Sequence, residues 1–245
     1  MAKQEPSWRA DVFKAPKRGH SLPEFEDAAA FDLDRLAFAV ADGASESSFA
    51  RDWAERIVAD FAHNAGENLL DWLRGELPLV QAEWRAATDA LSLPWYAELK
   101  REQGAFATLL GMAASPAGKW RALAIGDSCL FQVRECALVK CFPLERAEDF
   151  NSDPWLLGSR RPVSDPWASK AVRLVEGEFV RGDRFWLVTD AVAAWLLRRC
   201  KRDSDWQVKL PFEPTDQGFS AWVDQEREAG DLRNDDCTWM EIEAN

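Results

Sequence analysis

The 245-residue sequence predicts an α+β fold, and three features support this class. Two helical patterns come early in the chain, at about residues 46–62 and 78–91. Residues 105–139 then change to short apolar runs broken by turn residues, which is typical of an antiparallel meander. Further strand patterns follow, and the last is the alternating run 237–242. Helices followed by a group of strands indicate the α+β class.

The first elements begin after a polar segment. Residues 1–19 carry scattered basic residues and predict a loosely ordered lead-in, and a strand is expected at about 36–41. The first helix has a large apolar residue at every fourth position: Phe49, Trp53, Ile57 and Phe61. This spacing gives one apolar face, which must cover a flat surface, most simply a sheet. The second helix is expected to end before Pro94, which interrupts the helical pattern.

The later part of the chain begins with a segment of turn residues. Residues 143–169 are rich in Pro, Ser and Asp, which predicts a loop or flap. Further strands are expected at about 171–175, 184–189 and 237–242, with helices at about 192–200 and 218–228. No boundary is visible after the lead-in, so residues 20–245 are predicted to form a single domain.

Composition restricts the classes of function. Asp plus Glu outnumber Lys plus Arg by 42 to 30, so nucleic acid is not an expected partner. No membrane span and no signal peptide are recognised, which makes a cytoplasmic location the expectation. Five cysteines without C-x-x-C spacing argue against a disulfide framework and a zinc ribbon. With only two histidines, any metal must be held by oxygen ligands.

Three apolar runs of strand character end on an aspartate: Asp42, Asp127 and Asp190. Because a buried strand fixes its last residue rigidly, such carboxylates can converge on one point, where they would bind a hard divalent cation. The pairs Glu26-Asp27 and Asp235-Asp236 add carboxylates at turns. The set indicates a two-metal site, in which cations about 3.5–4 Å apart activate a water for displacement at phosphorus.

The acidic residues lie in five of six short motifs: Glu26-Asp27-Ala28, Phe38 to Gly43, Gly104 to Thr108, Ala124 to Ser128, Leu187 to Ala191, and Asn234 to Thr238; the glycine-led motif Gly104 to Thr108 carries none. In this order they resemble the motifs of the metal-dependent type 2C serine/threonine protein phosphatases, from about Gly19 to the C-terminus. The resemblance implies two stacked antiparallel sheets flanked by helices, with the metals at one edge of the sandwich.

The resemblance also implies two Mn²⁺ or Mg²⁺ ions. Their implied ligands are Glu26, Asp42, the Gly43 carbonyl, Asp190 and Asp235. Asp42 would bridge both ions, and Asp27 would orient a metal-bound water. Asp236 is expected to cap or turn the chain.

Some positions depart from the family pattern. Leu22 stands where many relatives have a phosphate-binding arginine, and Arg18 and His20 are nearby candidates for that role. Ala194 stands where an aspartate would help to bind a third metal. Asp127 is therefore either an accessory ligand or the turn residue of a hairpin.

Several motifs also have a purely structural interpretation. Asp42 followed by glycine is a common turn, and a lone histidine such as His20 is usually structural or solvated. The basic run at 198–202 is either a docking patch or a complement to the helix dipole. Trp155 and Trp167 in the 143–169 segment either pack in the fold or contact substrate.

The leading expectation is a phosphatase for phosphoserine and phosphothreonine in proteins, with a phosphoprotein as substrate and a cognate serine/threonine kinase as a candidate partner. The first alternative is a pseudophosphatase, a module that binds a phosphoprotein or kinase. Two departures from the family pattern motivate it: Leu22, and Ala191 in place of the usual glycine after Asp190. A phosphatase for small phosphorylated molecules is the second alternative.

Overall fold

A computed structural model of the chain describes residues 7–45, 49–150, 153–202 and 208–245. The strands are β1 (Trp8–Ala15), β2 (Ala28–Asp32), β3 (Ala37–Ala41), β4 (Phe106–Ala107), β5 (Leu109–Ser115), β6 (Lys119–Ile125), β7 (Cys129–Arg134), β8 (Ala137–Phe142), β9 (Leu157–Gly158), β10 (Val172–Glu178), β11 (Arg184–Val188) and β12 (Cys237–Ala244). The α-helices are α1 (Ala50–Asn64), α2 (Leu69–Asp89), α3 (Trp95–Gln103), α4 (Asp165–Ala171), α5 (Asp190–Arg202) and α6 (Asp216–Glu228).

Within these residues the long strands form two five-stranded sheets. The first sheet has the order β1-β12-β11-β7-β8, and the second has the order β10-β6-β5-β3-β2. A small pair joins β4 to β9. All of these strand pairs are antiparallel, which confirms the α+β class. The predicted meander is instead two hairpins in different sheets, β5-β6 in the second sheet and β7-β8 in the first.

A core of apolar side chains lies between the two sheets. It includes Phe38, Val40, Leu110, Met112, Leu130, Phe185, Leu187 and Met240, all fully buried. The side chains of β3 show why only some residues of a strand reach this core, because successive residues of a strand point to opposite faces of the sheet. Phe38 and Val40 therefore face the other sheet, whereas Ala39 and Ala41 belong to the cluster under α1.

Helices cover the outer face of each sheet, which gives four layers. Helices α1 and α2 pack on the second sheet through Trp53, Ile57, Phe61, Trp72 and Trp84. Helices α5 and α6 pack on the first sheet through Val192, Trp195, Leu196, Phe219 and Trp222. The apolar face predicted from the spacing of four is thus confirmed in α1, which begins at Ala50. Residues 46–48 of the predicted helix lie outside the described residues.

The expectation of a loose lead-in at residues 1–19 is wrong for residues 8–15. These residues form β1, an edge strand that pairs along its whole length with β12. Phe13 and Ala15 are buried in the core cluster beneath α5 and α6, and the Trp8 ring contacts Phe179 at 4.9 Å between centroids. Charged residues on the outer face of this strand made the segment look polar.

Three helices differ from expectation. Helix α2 begins at Leu69 and continues through Pro78, because apolar residues on both sides of the proline pack into one core cluster. Helix α2 ends at Asp89, before Pro94 as predicted, and Pro94 directly precedes α3, a helix that the sequence pattern did not predict. Helix α4 begins within the predicted loop 143–169, with Pro166 in its first turn. A proline at the start of a helix destabilises it little, since the first N–H groups of a helix have no partner within it.

The remaining elements agree with the sequence prediction to within a few residues. These are β3, β10, β11, β12, α5 and α6. None of the helices in the described ranges is long and apolar enough to cross a membrane.

A buried ion pair joins β7 to the turn before β11. Asp183 is fully buried and accepts two hydrogen bonds of 2.7 Å from the Arg134 guanidinium and one of 2.8 Å from Gln132 Nε2. Burial raises the pKa of Asp183, but the hydrogen bonds from Arg134 and Gln132 outweigh burial and hold that pKa below its ordinary value.

Replacing Asp183 with alanine is expected to lower the free energy of unfolding by about 2–3 kcal/mol at pH 7, because Arg134 and Gln132 lose a buried partner. The lowered pKa means that the stabilisation is complete at neutral pH and disappears as the pH falls below about 4. Denaturant unfolding at pH 7 and pH 3 measures this. The control is Asp11→Ala, which removes the exposed pair with Arg9 and should cost less than about 1 kcal/mol. Equal losses for the two variants would contradict the prediction.

Candidate metal and catalytic site

Six aspartates from distant parts of the chain lie together at one end of the sandwich: Asp27, Asp42, Asp127, Asp190, Asp235 and Asp236. Antiparallel pairing explains the neighbours within each sheet, and the stacking of the two sheets brings the two sets together. Ala28 pairs with Ala41, so the residue before β2 lies beside the residue after β3. Val188 pairs with Trp239, so the residues after β11 lie beside those before β12.

The turn that carries Asp42 is fixed by its neighbours. The Asp42 N–H donates to Thr108 Oγ1 at 2.9 Å, and that hydroxyl also lies 3.0 Å from Ser128 Oγ. These bonds tie the end of β3 to the turn that carries Asp127. A Cβ at Gly43 would lie 2.7 Å from the Glu26 carbonyl oxygen, so only glycine lets the two segments approach this closely.

Asp27 is the most deeply buried member of the cluster. Its Oδ2 accepts a hydrogen bond of 2.9 Å from Thr189 Oγ1, whereas its Oδ1 has no partner among the described residues. Burial raises the pKa of Asp27 to about 8, and the nearby Asp236 carboxylate adds to the shift. Asp236 itself accepts hydrogen bonds of 2.8 Å from the backbone N–H groups of Lys17 and Glu26. It therefore fastens the segment before β2 to the start of β12.

The other aspartates share this excess of negative charge. Burial raises the pKa of Asp42 well above its ordinary value, and Asp27 and Asp190 contribute further. Burial also raises the pKa of Asp127 to about 7, with the Asp190 charge acting in the same direction. A buried group of like charges is costly unless a cation neutralises it.

Among the residues that the structure describes, one cation contacts the cluster, and the sequence did not predict it. A single nitrogen of Arg233, Nη2, donates to Asp190 Oδ2 and, at 2.6 Å, to Asp235 Oδ2. The only signal in the sequence was a basic residue inside an acidic turn, two positions before Asp235.

Three further candidates make contacts of their own. Glu26 Oε2 accepts a hydrogen bond from Ser45 Oγ and lies 3.8 Å from Lys17 Nζ. The Arg18 guanidinium turns towards α6, where it contacts Glu228 at 3.2 Å and the Asp224 carbonyl at 3.0 Å. His20 is exposed, and its backbone N–H donates to the Lys17 carbonyl.

The donor chemistry of this cluster fits a hard divalent cation. The side-chain donors of the six aspartates are carboxylate oxygens, and two buried ones, Asp27 Oδ1 and Asp127 Oδ1, have no hydrogen-bond partner in the described ranges. Across the part of the chain that the structure describes, no three His, Cys, Asp or Glu side chains are grouped closely enough to hold a metal. The Arg233 guanidinium stands between Asp190 and Asp235 in this arrangement.

The raised pKa values of Asp27 and Asp127 predict an unusual pH dependence for the metal-free protein. Above about pH 4 the folded state keeps protons that the unfolded chain has lost, so stability falls as the pH rises. We expect the free energy of unfolding in a chelator to fall by at least about 2 kcal/mol between pH 5 and pH 8. Thermal unfolding across this range measures the effect, and the variant Asp27→Asn should flatten the curve. A wild-type protein that gains stability over the range would contradict the prediction.

A concave surface lies away from the aspartate cluster, between α5 and α6. This cleft of about 760 Å³ is lined by the basic residues Arg198, Arg199 and Arg202 together with Phe212 and Trp222. Arg198 Nη2 donates to the Asp231 carbonyl at 2.6 Å and Arg202 Nη1 to the Asp231 carboxylate at 2.9 Å. Two residues of the basic run at 198–202, Arg198 and Arg202, therefore form hydrogen bonds with Asp231 of the same chain.

The flap tryptophans lie near the Asp127 turn. Trp155 and Trp167 contact each other edge to face, with ring centroids 6.4 Å apart. The Trp155 carbonyl oxygen is 3.0 Å from the position of a Cβ at Gly126, while its side chain is 45% exposed. Trp167 packs against the core cluster under α1 and α2.

No protein-family model and no curated protein sequence matches this chain. Solved structures do resemble it. One is PppA, described as a key regulatory component of the T6SS in Pseudomonas aeruginosa, with 17% identity, a TM-score of 0.60, and 97% of this chain and 98% of that chain covered. Another is the catalytic domain of the serine/threonine protein phosphatase PstP in complex with two manganese ions, with 16% identity, a TM-score of 0.59 and 97% of each chain covered.

A third similar structure is the serine/threonine phosphatase of S. agalactiae. It has 12% identity and a TM-score of 0.61, with 97% of this chain and 100% of that chain covered. At identities this low, the likeness establishes the fold alone.

Proposed function

We propose that this chain, which has the fold of the metal-dependent type 2C serine/threonine protein phosphatases, hydrolyses phosphoserine and phosphothreonine in proteins. The observation that carries the proposal is the group of buried aspartates at one end of the sandwich, with their raised pKa values and unpaired oxygens. A fold without a cation to bind has no physical reason to gather so many like charges. The manganese ions of the similar PstP structure are consistent with such a cation.

Each acidic residue has a role in the proposed mechanism. Asp42, Asp190 and Asp235 would hold one ion, and Asp42, Glu26 and the Gly43 carbonyl would hold the other. When bound, Mn²⁺ or Mg²⁺ supplies positive charge for the phosphate oxygens and acidity for a water molecule. Asp27 Oδ1, which has no described partner, is available to accept a hydrogen bond from that water and to orient it.

The reaction is hydrolysis without a phosphoenzyme. Water attacks phosphorus, the bond between phosphorus and the serine or threonine oxygen breaks, and inorganic phosphate and the free hydroxyl are the products. Phosphate monoester hydrolysis is among the slowest uncatalysed reactions, so charge stabilisation must supply most of the acceleration. Asp127 would act as an accessory residue beside this centre.

The test is release of phosphate from a phosphothreonine peptide with Mn²⁺ present. Phosphate release that depends on Mn²⁺ and stops when excess chelator is added supports the proposal. A wild-type protein that binds Mn²⁺ in calorimetric titration but releases no phosphate from phosphothreonine or phosphoserine peptides would refute it. Release from p-nitrophenyl phosphate alone would point to small phosphorylated molecules as substrates.

The second candidate function is a pseudophosphatase that binds a phosphoprotein or a kinase. The contact of Arg233 with Asp190 and Asp235 favours it, because these carboxylates then already have a cation. Absence of Mn²⁺ binding at millimolar concentration, together with binding of a phosphopeptide, would support this alternative.

We also propose a cytoplasmic phosphoprotein as the partner, with a serine/threonine kinase that produces the substrate. The relative PppA is described as a regulatory component, which is consistent with a signalling role. The acidic composition, with a net charge of −12, argues against nucleic acid as a partner.

A further inference from the structure

Arg233 occupies the point at which two aspartate side chains meet. Asp190 Oδ1 accepts a hydrogen bond of 2.6 Å from the Ala191 N–H, and Asp235 Oδ1 accepts one of 3.0 Å from the Asp236 N–H. The backbone thus fixes one oxygen of each carboxylate. The other oxygen of each, Oδ2, is directed at the same nitrogen, Arg233 Nη2. One positively charged group therefore bridges both carboxylates.

A divalent cation that uses these two oxygens cannot share them with the guanidinium. Metal–oxygen bonds of about 2.0–2.2 Å would place the ion where Nη2 lies, and two positive charges at that distance would repel each other strongly. Contact with Arg233 and coordination of a metal by both oxygens therefore exclude each other. Two ligands that exclude each other weaken each other's apparent affinity.

Arg233 is also able to leave. Its side chain is 59% exposed, whereas the side chain of Asp190 is only 9% exposed. A long exposed side chain loses little packing when it turns into solvent, and water can then hydrate its charge. The buried carboxylates stay behind, held by their backbone hydrogen bonds.

We infer that Arg233 is a built-in cation that neutralises Asp190 and Asp235 in the metal-free protein and competes with the metal for them. The inference rests on the metal binding included in the proposed function. Arg233 stabilises the fold when divalent cations are scarce, and it raises the metal concentration at which the site fills. Metal affinity is thereby set by a residue that is not itself a ligand.

The test compares Arg233→Gln with wild type after treatment with a chelator. Titration with Mn²⁺ in a calorimeter should show about five- to tenfold tighter binding to the variant, because no cation has to be displaced. Without metal, the variant should unfold at a lower temperature than wild type, because the carboxylates have lost their counter-charge. With saturating Mn²⁺ this difference should become smaller or reverse.

Two further variants act as controls. Arg202→Gln makes the same change in net charge and removes a contact with Asp231, away from the cluster. Its Mn²⁺ affinity should equal that of wild type, and equal tightening in both glutamine variants would overturn the inference in favour of a general charge effect. Arg233→Lys keeps the charge and should bind Mn²⁺ about as weakly as wild type.

The outcomes separate this inference from the proposed function. Mn²⁺ affinity that is unchanged or weaker in Arg233→Gln overturns the competition but leaves a phosphatase possible. Tighter binding without turnover of phosphopeptides supports the competition and refutes the phosphatase. If neither wild type nor Arg233→Gln binds Mn²⁺, both the competition and the proposed phosphatase function are overturned.

Discussion

Replacing Asp42 with asparagine is expected to lower Mn²⁺-dependent kcat/KM for a phosphothreonine peptide by at least about 100- to 1000-fold. Asp42 lies among Asp27, Asp127, Asp190 and Asp235, and it is the proposed ligand of both ions. Asparagine keeps the shape of the side chain and its backbone bond to Thr108 Oγ1, but it removes the negative charge. The loss of kcat/KM should therefore result from the missing metal ligand and not from a disrupted turn.

The same variant has a second expected property. Because burial and neighbouring carboxylates raise the pKa of Asp42, removing its charge should leave the metal-free protein as stable as wild type or more stable at pH 8. Thermal unfolding in a chelator measures this. Asp34→Asn, on an exposed turn, is the matched control and should change neither activity nor stability. An Asp42→Asn protein with wild-type turnover would show that Asp42 is a turn residue only.

Replacing Gly111 with alanine is expected to lower the free energy of unfolding by about 3 kcal/mol. A Cβ at this position would lie 2.3 Å from Phe61 Cζ and 2.5 Å from Phe61 Cε2. Phe61 is fully buried between α1 and the second sheet, and its ring contacts Trp72 at 5.2 Å between centroids. The ring cannot move aside without disturbing other buried side chains.

Gly75→Ala is the matched control for this prediction. Gly75 lies in α2 with no atom near the position of an added Cβ, so alanine there should stabilise the protein by about 0.5–1 kcal/mol. Denaturant unfolding followed by tryptophan fluorescence measures both variants. A Gly111→Ala protein as stable as wild type would mean that the packing of α1 on β5 is looser than described.

The fold was predictable where burial leaves a periodic trace. Helix α1 was found because one face is buried and one is exposed, which produces the spacing of four from Phe49 to Phe61. Strand β1 was missed because an edge strand buries few residues, here Phe13 and Ala15, among charged neighbours. The sequence predicts too short an α2, because proline usually stands at a helix end. Here core contacts on the N-terminal side of Pro78 keep that proline inside the helix.

The site was predictable only in part, and for a similar reason. A strand of apolar residues that ends on an aspartate marks a position that the backbone alone determines, as for Asp42 and Asp190. Antiparallel pairing places Asp42 beside Asp27 and Asp190 beside the start of β12, and the stacking of the two sheets brings these two groups together. The direction of a long side chain depends on its surroundings in three dimensions, so neither the contact of Arg233 with the cluster nor that of Arg18 with α6 could be predicted.

The hydrogen bonds of Asp236 determine when the site can first form during synthesis of the chain. They join Asp236 to Lys17 and Glu26, contacts that span 219 and 210 positions of the chain. A ribosome adds about 5–20 residues per second, so the early strands wait on the order of ten seconds or more for β12 to appear. A nascent chain that ends before residue 235 has neither Asp235 nor the hydrogen bonds of Asp236 to Lys17 and Glu26. Under the proposed function, such a chain would lack a metal ligand and would be unable to hydrolyse phosphoproteins.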